Sequence, residues 1–93
     1  MKKEIKLEGI EPVEIYGVGN KILEEFCSYF PGLKVVARGH ELILEGRSSQ
    51  IEEFNIRFAE LLELRRHKPS LTVYDVEDVF SGEARGNLAM NGN

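Results

Sequence analysis

The segment Leu33-Lys-Val-Val-Ala-Arg-Gly-His-Glu-Leu-Ile-Leu-Glu45 constrains the fold of this chain more than any other. Gly39-His40 reads as a two-residue hairpin turn, with glycine supplying a positive φ at its first position. One register follows: Arg38 faces Glu41, Ala37 faces Leu42, Val36 faces Ile43, Val35 faces Leu44 and Lys34 faces Glu45. Leu33, Val35, Ala37, Leu42 and Leu44 then share one side, which is the core side. The other side carries two cross-strand ion pairs, Lys34 with Glu45 and Arg38 with Glu41, flanking the apolar Val36–Ile43 pair. Charge and hydrophobicity specify the same alignment.

The remaining elements are read from period and punctuation. Residues 3–8 alternate, with Ile5 and Leu7 on one side, as in a half-buried strand ended by Gly9. Residues 10–17 fit a strand by Val13 and Ile15. They also fit a short helix by the spacing of Ile10, Val13 and Tyr16, with Pro12 at its first position and Gly17 as its stop. The helix is favoured. Residues 20–30 form a helix with Ile22, Leu23, Phe26, Cys27 and Phe30 on one face, Asn20 as its cap, and Pro31-Gly32 as its end. Ser49 opens a long helix to about Arg66, and Ser49-x-x-Glu52 fits a capping box. Ile51, Phe54, Phe58, Leu61, Leu62 and the stem of Arg65 line its core face. Ile56 and Leu64 fall outside that face and need another cover. Thr72 caps a last short helix, with Asp75 at its third position and Leu71 and Val76 across the cap. That helix, with Val76, Val79 and Phe80 on its apolar side, is the expected cover for Leu64 or Ile56. Residues 1–80 thus read as one domain, and 81–93, rich in Gly and Asn, as a linker or disordered tail.

With 93 residues and a net charge of -4, the chain is one small domain without the basic field common in nucleic-acid binders. Lys2-Lys3 are followed by Glu4, Lys6 and Glu8, not by an apolar run, so neither a signal peptide nor a membrane span is read. The single Cys27 has no disulfide partner and is read as a small buried hydrophobe in a reducing, cytoplasmic setting.

The order strand, helix, glycine loop, helix, strand, strand, helix resembles that of a type I KH domain, a small single-stranded nucleic-acid-binding module. The expected fold is therefore α+β, with a three-stranded antiparallel sheet covered by helices on one face. More narrowly, "VVARGHELILEG" (35–46), behind a glycine loop and an amphipathic helix, resembles the N-terminal domain of PhoH-like proteins. "LTVYDVEDVF" (71–80) resembles the segment that follows it there. The resemblance spans residues 5–80. It implies a bacterial, cytoplasmic, phosphate-starvation-inducible protein whose P-loop ATPase domain follows this segment. Such proteins are linked to RNA metabolism and to a ribosome-maturation endoribonuclease. No G-x-x-x-x-G-K-[ST] occurs in this chain. ATP and Mg are accordingly expected in the ATPase domain only, with no cofactor here.

Within that resemblance, Tyr16-Gly-Val-Gly-Asn-Lys21 occupies the place of the KH phosphate loop. The KH loop is G-x-x-G, usually with basic residues between the glycines. Here Val18 lies between them and offers no phosphate contact. The candidates for nucleic-acid contact are Gly17, Gly19, Asn20 and Lys21, followed by Lys34 and Arg38. The bland alternative for the loop is a capped corner between two helices. Val36 and Ile43 are a candidate docking pair. Arg65, Arg66 and Lys68, which suit a helix C-terminus electrostatically, are further docking candidates. His40 and His67 have no Cys or His at ligand spacing, so no metal site is read. No catalytic constellation is read either. The expected function is a non-catalytic RNA-binding or RNA-positioning accessory domain. The expected partners are single-stranded RNA, the ATPase domain, the endoribonuclease and a homo-oligomer. The alternative is a docking or oligomerisation module without RNA affinity.

Overall fold

A computed structural model describes residues 1–81. The elements are β1 (Lys2–Lys6), α1 (Pro12–Tyr16), a 3-10 turn (Val18–Asn20), α2 (Lys21–Cys27), β2 (Lys34–Arg38), β3 (Glu41–Glu45), α3 (Ser48–His67) and α4 (Val73–Ser81). The strands form one antiparallel sheet in the order β1-β3-β2. This is the expected α+β class. Of the segment read as a linker, 81–93, Ser81 is instead the last residue of α4, and 82–93 lie outside the described residues.

The hairpin register is the one read from charge and hydrophobicity, from Lys34 opposite Glu45 to Arg38 opposite Glu41. Gly39 takes φ +57 at the turn. Leu42 and Leu44 are fully buried on the inner side of the central strand. On the edge strand β2 the inner side is less covered: Val35 is half-buried and Ala37 exposed. β1 begins one residue earlier than the alternation suggested and ends at Lys6. Leu7 stays attached, its N–H donating to the His40 carbonyl at 2.7 Å.

The helices pack on the inner side of the sheet around Phe26. Its ring lies edge-on to Phe54 at 4.8 Å and to Phe58 at 5.6 Å, which ties α2 to α3. Phe80 of α4 meets the same ring at 4.9 Å. Ile51, Phe54, Phe58 and Leu61 of α3 are buried in one cluster with Leu42, Leu44 and Ile15. Each such side chain contributes roughly 1.5–3 kcal/mol.

Four capping expectations meet different outcomes. Pro12 does stand at the start of α1, and Gly17 receives its end, the Gly17 N–H donating to the Val13 carbonyl at 2.9 Å. Thr72 does precede α4, and the Asp75 carboxylate reaches back to the Thr72 N–H at 2.7 Å. The capping box at Ser49 is not formed. α3 starts two residues earlier than a Ser49 cap requires, behind an extended Arg47 whose carbonyl accepts from the Ile51 N–H, and no side chain caps it. Ser49 is thus already inside the helix, where its hydroxyl cannot reach a first-turn amide. Asn20 likewise makes no side-chain cap; it is left-handed, φ 60, and α2 begins after it. α2 is also shorter than read, because Tyr29 and Phe30 close tighter turns onto Phe26 and Cys27. Leu64 packs against the core, whereas Ile56 stays 52% exposed and has no cover among the described residues.

Candidate nucleic-acid interface

The glycine loop follows from steric demands at adjacent positions. Gly17 has φ +84, and a Cβ there would stand 2.8 Å from Ile22 Cγ1, so α1 and α2 approach too closely for any other residue. Gly19 has φ +66 with open space around it, so backbone conformation alone requires it. Asn20 continues the left-handed path, which asparagine tolerates better than most residues. The Asn20 N–H donates to the Gly17 carbonyl at 3.0 Å, and the Lys21 N–H to the Val18 carbonyl. The Val18 and Gly19 amides take no part in these bonds. Val18 is 81% exposed at the tip, and Val13 on α1 is exposed beside it.

The loop opens into a groove of about 300 Å³ whose lining includes Val13, Gly17, Val18, Arg65, Pro69 and Leu71. Arg65 therefore stands next to the loop, a proximity invisible in sequence because the two are almost fifty positions apart. Its guanidinium is held 3.5 Å from Glu14 Oε1, and Nη1 donates to the Lys68 carbonyl at 2.9 Å. Its buried Nε has no acceptor among the described residues. Tyr16, just before the loop, is buried with its hydroxyl unpartnered among the described residues, and burial pushes the phenol's pKa up.

The other basic residues of the helix end are engaged within the chain. Arg66 and His67 both meet Glu63, at 3.6 and 2.9 Å. Lys68 Nζ donates to the buried Asp75 Oδ1 at 2.6 Å. These contacts fit helix-end stabilisation and the docking of α4 onto α3.

Lys34, Arg38, Val36 and Ile43 occupy a different surface. They line a shallow depression on the outer side of the sheet, together with Lys2 and Glu45, and share no residue with the loop groove. The two expected ion pairs are not made: the register sets Lys34 opposite Glu45 and Arg38 opposite Glu41, yet among the described residues neither cation lies within 4.0 Å of a carboxylate. Exposed pairs gain only about 0–1 kcal/mol against the entropy of two long side chains, so register alone does not close them. The contribution of β1 to this surface was not legible beforehand. Pairing with β3 completes three rows: Lys2–Glu45–Lys34, Glu4–Ile43–Val36 and Lys6–Glu41–Arg38.

Cys27 is half-buried, and burial followed by the nearby Glu24 raises its thiol pKa to about 11. It is a protonated packing residue at neutral pH. Among the described residues no three His, Cys, Asp or Glu side chains gather as metal ligands, and no helix is long and apolar enough to cross a membrane.

No protein-family model, curated protein or solved structure matches this chain.

Proposed function

We propose that this domain is a non-catalytic, KH-like module that binds single-stranded RNA through the glycine loop and serves a PhoH-like ATPase in the cytoplasm. The observation that carries the reading is the exposed, left-handed backbone at Gly19 and Asn20, next in the chain to Gly17 and Val18, which share a groove with Arg65. A Cβ at position 19 would meet nothing within 4 Å; with no side chain there, a ligand's backbone can approach the chain. The Val18 and Gly19 amides, Lys21 and Arg65 supply donors and positive charge for a phosphate. Val13 and Val18 offer exposed apolar surface against which an unstacked base can pack. In this reading Val18 faces bases, which answers its failure to resemble a basic KH loop. The outer cations Lys34 and Arg38, on another surface, have no part in it.

Binding of a fluorescent oligouridylate at two salt concentrations tests this. The account predicts binding that weakens with salt by a log–log slope of about -0.7 per phosphate neutralised. Lys21→Glu and Val18→Asp should each abolish it while leaving thermal stability near wild type, because both side chains are exposed. Absence of binding at low salt would overturn the RNA reading.

A second reading is docking of the same surface onto the ATPase domain or another copy. Its support is the exposure of Val13 and Val18 on either side of Gly17, in a groove shared with Pro69 and Leu71.

A further inference from the structure

We propose that the free edge of β2 accepts an extended peptide of acidic–apolar–acidic pattern, Glu-x-Ile-x-Glu or its like, as a fourth strand of the sheet. The proposal is independent of the RNA reading, since β2 and the glycine loop line different surfaces.

β2 is an edge strand in the order β1-β3-β2. Four of its five residues are exposed, and Val35 is half-buried. An edge strand presents unpaired backbone donors and acceptors and templates another strand. What that strand must look like is already shown on the other side of β2. There β3 meets Lys34, Val36 and Arg38 with Glu45, Ile43 and Glu41, and meets Val35 and Ala37 with Leu44 and Leu42. The cations have no carboxylate within ion-pair distance among the described residues, so their charge is available to a newcomer on the open side.

The alternatives are disfavoured by the same charges. A second copy pairing antiparallel about Val36 would set Lys34 against Arg38 twice, and like charges directly opposite one another destabilise a sheet. The other edge, β1, presents Lys2 and Lys6 but has Glu4 between them, in the row where β2 has Val36. An acidic–apolar–acidic strand therefore complements β2 at three outer positions and β1 at only two. The cations that guard the edge against self-association select an acidic partner.

The test uses the isotopically labelled 93-residue chain and a synthetic peptide, Ser-Glu-Leu-Ile-Leu-Glu-Ser, followed by backbone amide shifts. Saturable shifts concentrated at Lys34–Arg38 are expected. Backbone N-methylation of alternate peptide residues should remove them, since it blocks strand pairing and keeps the charges. Lys34→Gln/Arg38→Gln should weaken the peptide by about tenfold, two cross-strand charge contacts being lost, and leave a Gln-for-Glu peptide unaffected. The proposal is overturned if β2 shows no shifts, if shifts fall on β1 instead, if the N-methylated peptide binds equally, or if the double variant weakens both peptides alike.

Discussion

Gly17 and Gly19 stand two positions apart and are required for different reasons. At Gly17 a Cβ collides with Ile22, whose side chain is buried, and the φ of +84 is itself unfavourable for any other residue. At Gly19 only the φ of +66 matters. Gly17→Ala should therefore destabilise the domain by several kcal/mol, combining left-handed strain of about 1–2 kcal/mol with displacement of a core side chain. Gly19→Ala should cost only the strain, about 1–2 kcal/mol, and Gly19→Asn less. Urea unfolding of the three variants measures the ordering; equal losses at 17 and 19 would contradict the steric account. Cys27 gives a second residue-scale prediction. Its thiol is raised from an ordinary 9.0 to about 11 in the fold. Between those values the unfolded chain sheds a proton that the folded chain keeps. Stability due to this group is thus intact below pH 9 and lost as pH rises towards about 11. Thermal unfolding across that window should show the fall, and Cys27→Ala should flatten it. The packing role of Cys27 was legible from its place on an apolar helical face. The different reasons for the two glycines were not, because they depend on where Ile22 packs.

At the scale of elements, the buried Asp75 carboxylate ties α4 to the end of α3, alongside the 3.5 Å bond from Arg57 Nη1 to the Val79 carbonyl. Asp75 accepts from the Thr72 N–H at 2.7 Å and from Lys68 Nζ at 2.6 Å, with its side chain only 7% exposed. Asp75→Ala leaves a helix-end amide without its acceptor and a cation without its counter-charge, at a cost of about 1–3 kcal/mol. Glu53→Ala, which breaks the more exposed pair with Arg57 at 2.7 Å, should cost no more than about 0.5 kcal/mol. Differential scanning calorimetry of the two variants separates them; a Glu53 loss as large as that of Asp75 would contradict the assignment. The Thr72–Asp75 cap could be read in sequence because both partners lie within one turn. So could the hairpin register, since Lys34, Arg38, Glu41 and Glu45 bracket a two-residue turn. The capping box at Ser49 failed because the cap of α3 lies two residues earlier, at Arg47, which moves the Ser49 hydroxyl inside the helix. Lys68–Asp75 was missed because it crosses a break at Pro69, where local spacing carries no information.

At the scale of the molecule, the fold separates two surfaces. Helices cover one side of the sheet and carry the glycine loop at their margin; among the described residues nothing pairs with the β2 edge, and its outer positions are exposed. The hairpin register in the sequence already puts Lys34 and Arg38 on the outer side, away from the helices, and they lie there. What the sequence does not show is Arg65 lining a groove with Gly17 and Val18. That contact depends on α1 packing against the C-terminal end of α3, which no local pattern announces. Two open surfaces allow two ligands at once, and the proposals make opposite demands on them: phosphate at the loop, carboxylate at the β2 edge.

The most direct measurement is the backbone amide footprint of a short oligouridylate on the labelled chain at low salt. The account predicts shifts at Val13 and at Gly17–Lys21 that retreat as salt is raised, with β2 unaffected. Shifts confined to Lys34–Arg38, or a spectrum unchanged at the loop, would contradict it.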